Sequence, residues 1–231
     1  MNNKWLNLIL FFLCFESAIA QKDTDSLFLG FHFKWKTENL ELHKNYYSNK
    51  DTLQINLLKF YVSGIEINYE NGENYREKNS YHLIDFEDIK TQKIAISKSN
   101  SKTISKVIFH IGVDSTASVS GALSGDLDLQ KGMYWAWQSG YINMKIEGKS
   151  NSCRTRKNQF QFHIGGYMEP NYSLRKINLN GNFNDKNQIN VVMDLEKLFT
   201  EIDLKHTNTI MIPSEKAMQF ADITAKIFFV E

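Results

Sequence analysis

The residues best suited to chemistry in this chain are six histidines, His32, His43, His82, His110, His163 and His206. Neutral imidazole is the commonest side-chain metal ligand, and it titrates near neutrality. Their spacing contains no H-x-H or H-x-x-x-H pair, so no two sequence neighbours can chelate one ion. A metal site would have to be assembled from different strands. A second concentration of reactive side chains is Gly132-Met133-Tyr134-Trp135-Ala136-Trp137-Gln138-Ser139-Gly140-Tyr141. Read as one strand, it places Met133, Trp135, Trp137 and Ser139 on one face and Tyr134, Ala136 and Gln138 on the other. Two indoles on one surface serve as a core ridge, as a platform for a small molecule or sugar, or as an oxidisable group beside a metal. Cys153 sits in the polar run Gly148-Lys149-Ser150-Asn151-Ser152-Cys153-Arg154, which reads as a loop where Arg154 and Arg156 would favour the thiolate.

Catalytic signatures are missing from the sequence. There is no G-x-S-x-G, no H-E-x-x-H, no phosphate-binding Gly-Lys-Ser/Thr loop and no G-x-G-x-x-G. The many carboxylates include no pair that spacing alone selects for acid/base work. The expectation is a binding protein without turnover.

The elements that must position these groups are strands. Over 27–36, Leu27, Leu29, Phe31, Phe33 and Trp35 alternate with Phe28, Gly30, His32, Lys34 and Lys36, the period of a half-buried strand. The same reasoning, with β-branched and aromatic enrichment, marks strands over 57–69, 81–86, 93–97, 106–113, 133–146, 159–165, 173–179, 189–193 and 223–230. His32, His82, His110 and His163 all fall in them. Turn chemistry at Glu70-Asn71-Gly72-Glu73 and Asn180-Gly181-Asn182 predicts hairpins between successive strands. Two helices are expected near the C-terminus. Asp194 would cap one presenting Leu195, Leu198, Phe199 and Ile202 on one face, and Ser214 would cap another running from Glu215 to Phe220 or Ala225. Polar stretches at 45–51, 98–103 and 149–158 read as loops. The predicted fold class is mainly β, a single antiparallel β-sandwich or barrel-like domain with one or two short C-terminal helices.

Residues 1–20 read as a secretory signal peptide: Lys4, the apolar run Leu6-Asn7-Leu8-Ile9-Leu10-Phe11-Phe12-Leu13, then Ser17-Ala18-Ile19-Ala20. Cleavage after Ala20 would leave a mature domain over 21–231, periplasmic or secreted, with no transmembrane segment. Cys14 follows Phe12-Leu13 inside the apolar run, which argues against a lipid anchor. Cys153 would then be the one cysteine of the mature chain, with no internal disulfide possible. Lys plus Arg number 27 against 26 Asp plus Glu, a net charge of +1. Near-neutrality excludes a general electrostatic attraction to nucleic acid or anionic membranes.

The order of segments resembles the MbnP-like family of secreted or periplasmic proteins, as a divergent branch. The likeness is carried by Phe31-His32-Phe33, by Leu58-Lys59-Phe60-Tyr61-Val62-Ser63-Gly64-Ile65, by Tyr81-His82-Leu83-Ile84-Asp85 and by Phe109-His110-Ile111-Gly112-Val113-Asp114-Ser115. The aromatic block with Lys145 and Glu147-Gly148, followed by Phe162-His163-Ile164-Gly165-Gly166-Tyr167, is its most specific part. Such a resemblance implies a copper-binding protein associated with methanobactin or with copper-responsive surfaces, using histidine imidazoles and in some members a tryptophan oxidised to kynurenine. On that basis His163 is the first expected copper ligand, with His32, His82 and His110 as partners. Trp135, Trp137 and Trp35 are the expected site-adjacent or oxidised indoles. Two departures stand out. The methanobactin-associated branch carries Asn-His after its G-V segment, where this chain has Ser115-Thr116-Ala117-Ser118. That branch also follows H-L-G with a small residue, Thr, Gly and Cys, where this chain has Gly166-Tyr167-Met168. The alternative expectation is therefore a β-sandwich that binds a small molecule or an envelope protein and has lost the metal site.

Overall fold

The structure, a computed structural model, describes residues 26–48, 51–98, 102–138, 140–181, 183 and 187–231. The expected signal peptide and cleavage point lie outside the described residues, as do Ser139, Asn182 and residues 99–101 of the expected 98–103 loop.

The alternation of the first strand, β1 (Ser26–Trp35), is realised directly: Leu27, Leu29, Phe31, Phe33 and Trp35 all point into the core. The second long strand, β2 (Asp51–Tyr69), is the spine of a ten-stranded sheet. Further strands are β3 (Tyr81–Asp85), β4 (Lys93–Lys98), β5 (Ile104–Ile111), β6 (Gly140–Ser150), β7 (Gln159–Gly165), β8 (Arg175–Leu179), β9 (Gln188–Asp194) and β10 (Phe228–Val230). Along one edge of β2 run β6, pairing residues 53–60, and then β5, pairing residues 62–69. Along the other edge lie Asn45–Ser48, β3 and Asn74–Arg76. Outward from these, β7 pairs with β6 and β8 with β5. The second sheet is built on β1, with β9 and β4 on its two edges and β10 beyond β9.

The fold is mainly β, with curled sheets forming a half-barrel. Its core lies between the two sheets. Phe31 of one sheet meets Phe60 and Phe109 of the other edge-on, at 5.8 and 5.7 Å, and Phe228 closes on the same two rings at 6.0 and 5.8 Å. Burying each such ring stabilises the fold by about 1.5–3 kcal/mol, and favourable ring geometry adds about 0.5–1.5.

Two pairings depart from simple hairpins. β1 pairs in parallel with β9, from Phe28 opposite Gln188 to Lys34 opposite Asp194, and Thr209–Ile210 adds in parallel to β7. The expected strand over 133–146 is two strands: Tyr134–Trp135 turns back so that Trp135 faces Gly140 and Tyr134 faces Tyr141. The expected loop at 45–51 contains the strand Asn45–Ser48, hydrogen-bonded to β2. The Asn71-Gly72 turn is a three-residue loop, closed by Tyr69 N to Glu73 O at 3.0 Å, with Gly72 at φ +84°.

Three helices complete the fold. α1 (Ser115–Val119) was not expected. It begins at Asp114, whose carboxylate accepts from Ala117 N. α2 (Leu195–Glu201) is capped by Asp194 and buries Leu195, Leu198 and Phe199, as the spacing predicts. α3 (Glu215–Thr224) is capped by Ser214 and takes in Ile223, so the last strand starts only at Phe228.

Candidate functional site

The face of the ten-stranded sheet that points away from the core carries the polar positions of its strands. On β2 these are Lys59, Tyr61 and Ser63, on β6 Lys145 and Glu147, and on β7 Gln161, His163 and Gly165. Register sets Asp85, Lys59, Lys145 and His163 in one row across four strands. Opposite charges meet along it. Lys59 Nζ lies 2.7 Å from Asp85 Oδ2, while Glu147 Oε1 lies 2.7 Å from His163 Nε2 and 3.8 Å from Lys145 Nζ.

Residues 113–138 and 140–142 fold across part of this face. Their path depends on Gly121, Gly125 and Gly132, each at a positive φ between 69° and 80°. Val113, Ala117, Leu127, Met133, Trp135, Tyr141 and Ile142 pack with Tyr61 and Leu83 as a second hydrophobic cluster. Tyrosine hydroxyls fasten it: Tyr61 donates to Asp126 O and Tyr141 to Leu127 O, both at 2.9 Å. Leu83 N donates to the Asp126 carboxylate at 3.0 Å. Burial pushes both phenols up.

His163 is buried on this face, 7% exposed. Burial lowers its pKa below the usual histidine value, against the opposing effect of the hydrogen bond it makes to the Glu147 carboxylate. Burial thus favours the neutral imidazole. With Nε2–H donating to Glu147, the lone pair belongs to Nδ1, the tautomer that a carboxylate partner imposes on ligating histidines. Two residues along the same strand face, Gly165 supports Trp135: a Cβ on Gly165 would come within 2.7 Å of the indole Cζ3 and 2.7 Å of Tyr141 O. Gly165, on which the indole rests, lies about 7 Å along the strand from His163. The Trp135 Nε1–H is buried with no hydrogen-bond partner among the described residues.

The other expected residues are placed as follows. Trp137 does not share a strand face with Trp135, because the chain turns between them. It is 63% exposed and leans on the Trp135 ring at 5.8 Å and 44°. Trp35 is a core residue, stacked on Tyr46 at 4.7 Å and set against Phe199 at 6.0 Å, away from the outer face. His32 lies on the exposed side of β1, 3.2 Å from Asn190 Oδ1. His82 is bonded to Glu77 at 2.9 Å. His110, opposite Ser63 in register, lines a cavity, and burial lowers its pKa with help from Lys176. These three do not converge on His163, and each has its own partner. Among the described residues no group of three or more His, Cys, Asp or Glu side chains is arranged to hold a metal ion.

Cys153 is a correction as well. It lies in a loop, as expected, but its side chain is buried, and burial, reinforced by the Asp51 charge, pushes its thiol up to about 11. It is protonated, not a thiolate. Glu147, which holds His163, and Lys145, which flanks Glu147, carry a signal in their alternation on one strand. Identifying their partner required the register of the β6–β7 hairpin.

Comparison with known proteins adds a family. The MbnP family model matches residues 24–212. Among solved structures, MbnP from Methylosinus trichosporium is similar in fold, with a TM-score of 0.62 at 15% sequence identity over 78% of this chain and 79% of that one. No curated protein matches the chain in sequence.

Proposed function

Because the chain belongs to the MbnP family, we propose that it is an exported protein, periplasmic or secreted, that binds copper through His163 without turnover. The observation that carries this reading is the pairing of His163 with Glu147 beside Trp135. A buried neutral imidazole, oriented by a carboxylate, is the form in which histidine ligates a metal. Imidazole suits copper, the metal that the family resemblance implies. The residues present fit a single imidazole contact rather than a histidine cluster. Copper held there would supply redox chemistry next to the Trp135 indole. The protein's own part is to keep His163 buried and neutral and to aim it through Glu147. Export is supported by the leader-like segment at 1–20. No helix of the described residues is long and apolar enough to cross a membrane.

A second reading is favoured by the separation of His32, His82 and His110 from His163 and by the Lys145 ammonium, which stands 3.8 Å from Glu147. In it, the scaffold binds a small molecule or an envelope partner and the metal site has been lost. Metal analysis with intact mass, on protein exported to a periplasm and purified without chelator or affinity metal, separates the two. The copper reading expects about one equivalent, abolished in His163→Ala of unchanged far-UV circular dichroism. A mass gain localised to Trp135 or Trp137 would mark an oxidised indole. Unmodified, metal-free protein that also fails to retain added copper would overturn the copper reading in favour of the second.

A further inference from the structure

The outer face of the ten-stranded sheet carries a second concavity, away from His163. β2 is irregular between Ser63 and Glu66, where Gly64 takes φ +56°. A Cβ at Gly64 would stand 2.9 Å from His110 Nδ1, so the bare glycine lets that ring lie against the backbone. The irregularity opens a cavity of about 430 Å³, within the range that small ligands occupy. Ser63, Tyr81 and His110 line it on the sheet, and Leu174 adds an apolar wall. The connection that leads from Asn74–Arg76 into β3 supplies Arg76, Lys78 and the amide of Asn79.

The acids and the bases of the lining differ in how far they are engaged. Its two carboxylates are already engaged. Asp114 accepts from the Tyr81 hydroxyl at 2.5 Å and from Ala117 N at 3.0 Å, and Glu77 is bonded to His82 at 2.9 Å. Arg76 and Lys78 form no ion pair among the described residues, and Lys176 stands opposite His110 in the sheet. Two cations without an ion-pair partner therefore line a polar hollow whose two carboxylates have their hydrogen-bonding oxygens engaged, with Lys176 near its His110 wall. A guanidinium and an ammonium at one rim favour a carboxylate, and the hydroxyl, amide and imidazole groups suit the hydroxyls of a compact organic acid.

We propose that this cavity is a binding site for a small hydroxylated organic acid of sugar-acid size, held through its carboxylate by Arg76 and Lys78. It does not depend on the copper reading, since it uses neither His163 nor its neighbours.

The test is titration of the full chain with D-glucuronate, followed by calorimetry and by backbone amide shifts, with D-glucose as the uncharged probe. In 20 mM salt, glucuronate is expected to bind, with shifts concentrated at residues 63–64, 76–81, 110 and 174. The double substitution Arg76→Gln with Lys78→Gln, at two exposed positions, is expected to weaken binding about tenfold or more. Binding should also weaken in 0.5 M salt, because the cations are exposed. Equal binding of glucose, undiminished affinity in the double variant, shifts elsewhere on the protein, or no glucuronate binding would each overturn the proposal.

Discussion

The two faces of the ten-stranded sheet are both covered, the outer only in part, and by different means. The inner face is closed by a second sheet, and its contacts are aromatic and aliphatic throughout, with Phe31, Phe60, Phe109 and Phe228 meeting edge to face. The outer face is covered in part by an irregular segment, residues 113–138 and 140–142, and that face holds polar groups that a core excludes. Asn143 is satisfied there, accepting from Val113 N at 2.9 Å and donating to Ser173 Oγ at 2.7 Å. His163 is satisfied by Glu147. The Trp135 indole N–H has no partner among the described residues, and an unpaired buried donor costs about 1–3 kcal/mol. One face is arranged for stability, while the other retains a stability penalty next to a neutral, oriented imidazole. The outer face is where function is to be sought.

The largest expected effect belongs to the inner face. Phe60→Ala removes a fully buried ring that contacts Phe31, Phe33 and Phe228. It should destabilise the protein by about 3–5 kcal/mol, read from the urea midpoint at unchanged slope. A loss below about 1 kcal/mol would mean that the inter-sheet core is not the main source of stability.

A smaller effect is expected where the outer cover rests on the sheet. Gly165→Ala places a methyl group 2.7 Å from both the Trp135 ring and the Tyr141 carbonyl. Neither can move freely, the ring being buried and the carbonyl part of β6. The expected loss is about 1–3 kcal/mol, together with a shift in tryptophan emission as the indole is displaced. Unchanged stability and emission would show that Trp135 is not seated on Gly165, removing the packing that sets it beside His163.

The inner face was far more legible in the sequence than the outer. Alternation from Leu27 to Trp35 directly reports a strand with one buried side, and the caps Asp194 and Ser214 announce their helices through local hydrogen bonds. The partner of β1 was not readable, because a parallel pairing with residues 188–194 is fixed by tertiary packing alone. The aromatic block misled for a physical reason: Trp135-Ala136-Trp137-Gln138 alternates like a strand, and nothing local distinguishes alternation across a turn from alternation along a strand. Cys153 misled because its sequence neighbours are polar while its side chain packs on the core. His163 was named from the resemblance. Its burial could not be, since it lies on the face that alternation assigns to solvent, and its pairing with Glu147 is fixed by the register of β6 and β7.

The smallest expected effect bears on how the outer face ends at solvent. Trp137 is 63% exposed and touches the buried Trp135 ring, whereas Trp35 and Trp135 are 3% and 5% exposed. Trp137→Ala removes little buried area, so stability should change by no more than about 0.5 kcal/mol. Acrylamide quenching should respond strongly, because the substitution deletes the one accessible indole among the described residues and leaves two shielded ones. A stability loss above about 1 kcal/mol, or quenching that persists unchanged, would mean that Trp137 is packed as part of the second cluster. The outer face would then be a closed core like the inner one. If instead the variant is as stable as the parent and resists quenching, Trp137 is a surface group resting on Trp135, and the Trp135 indole stays shielded from solvent without it.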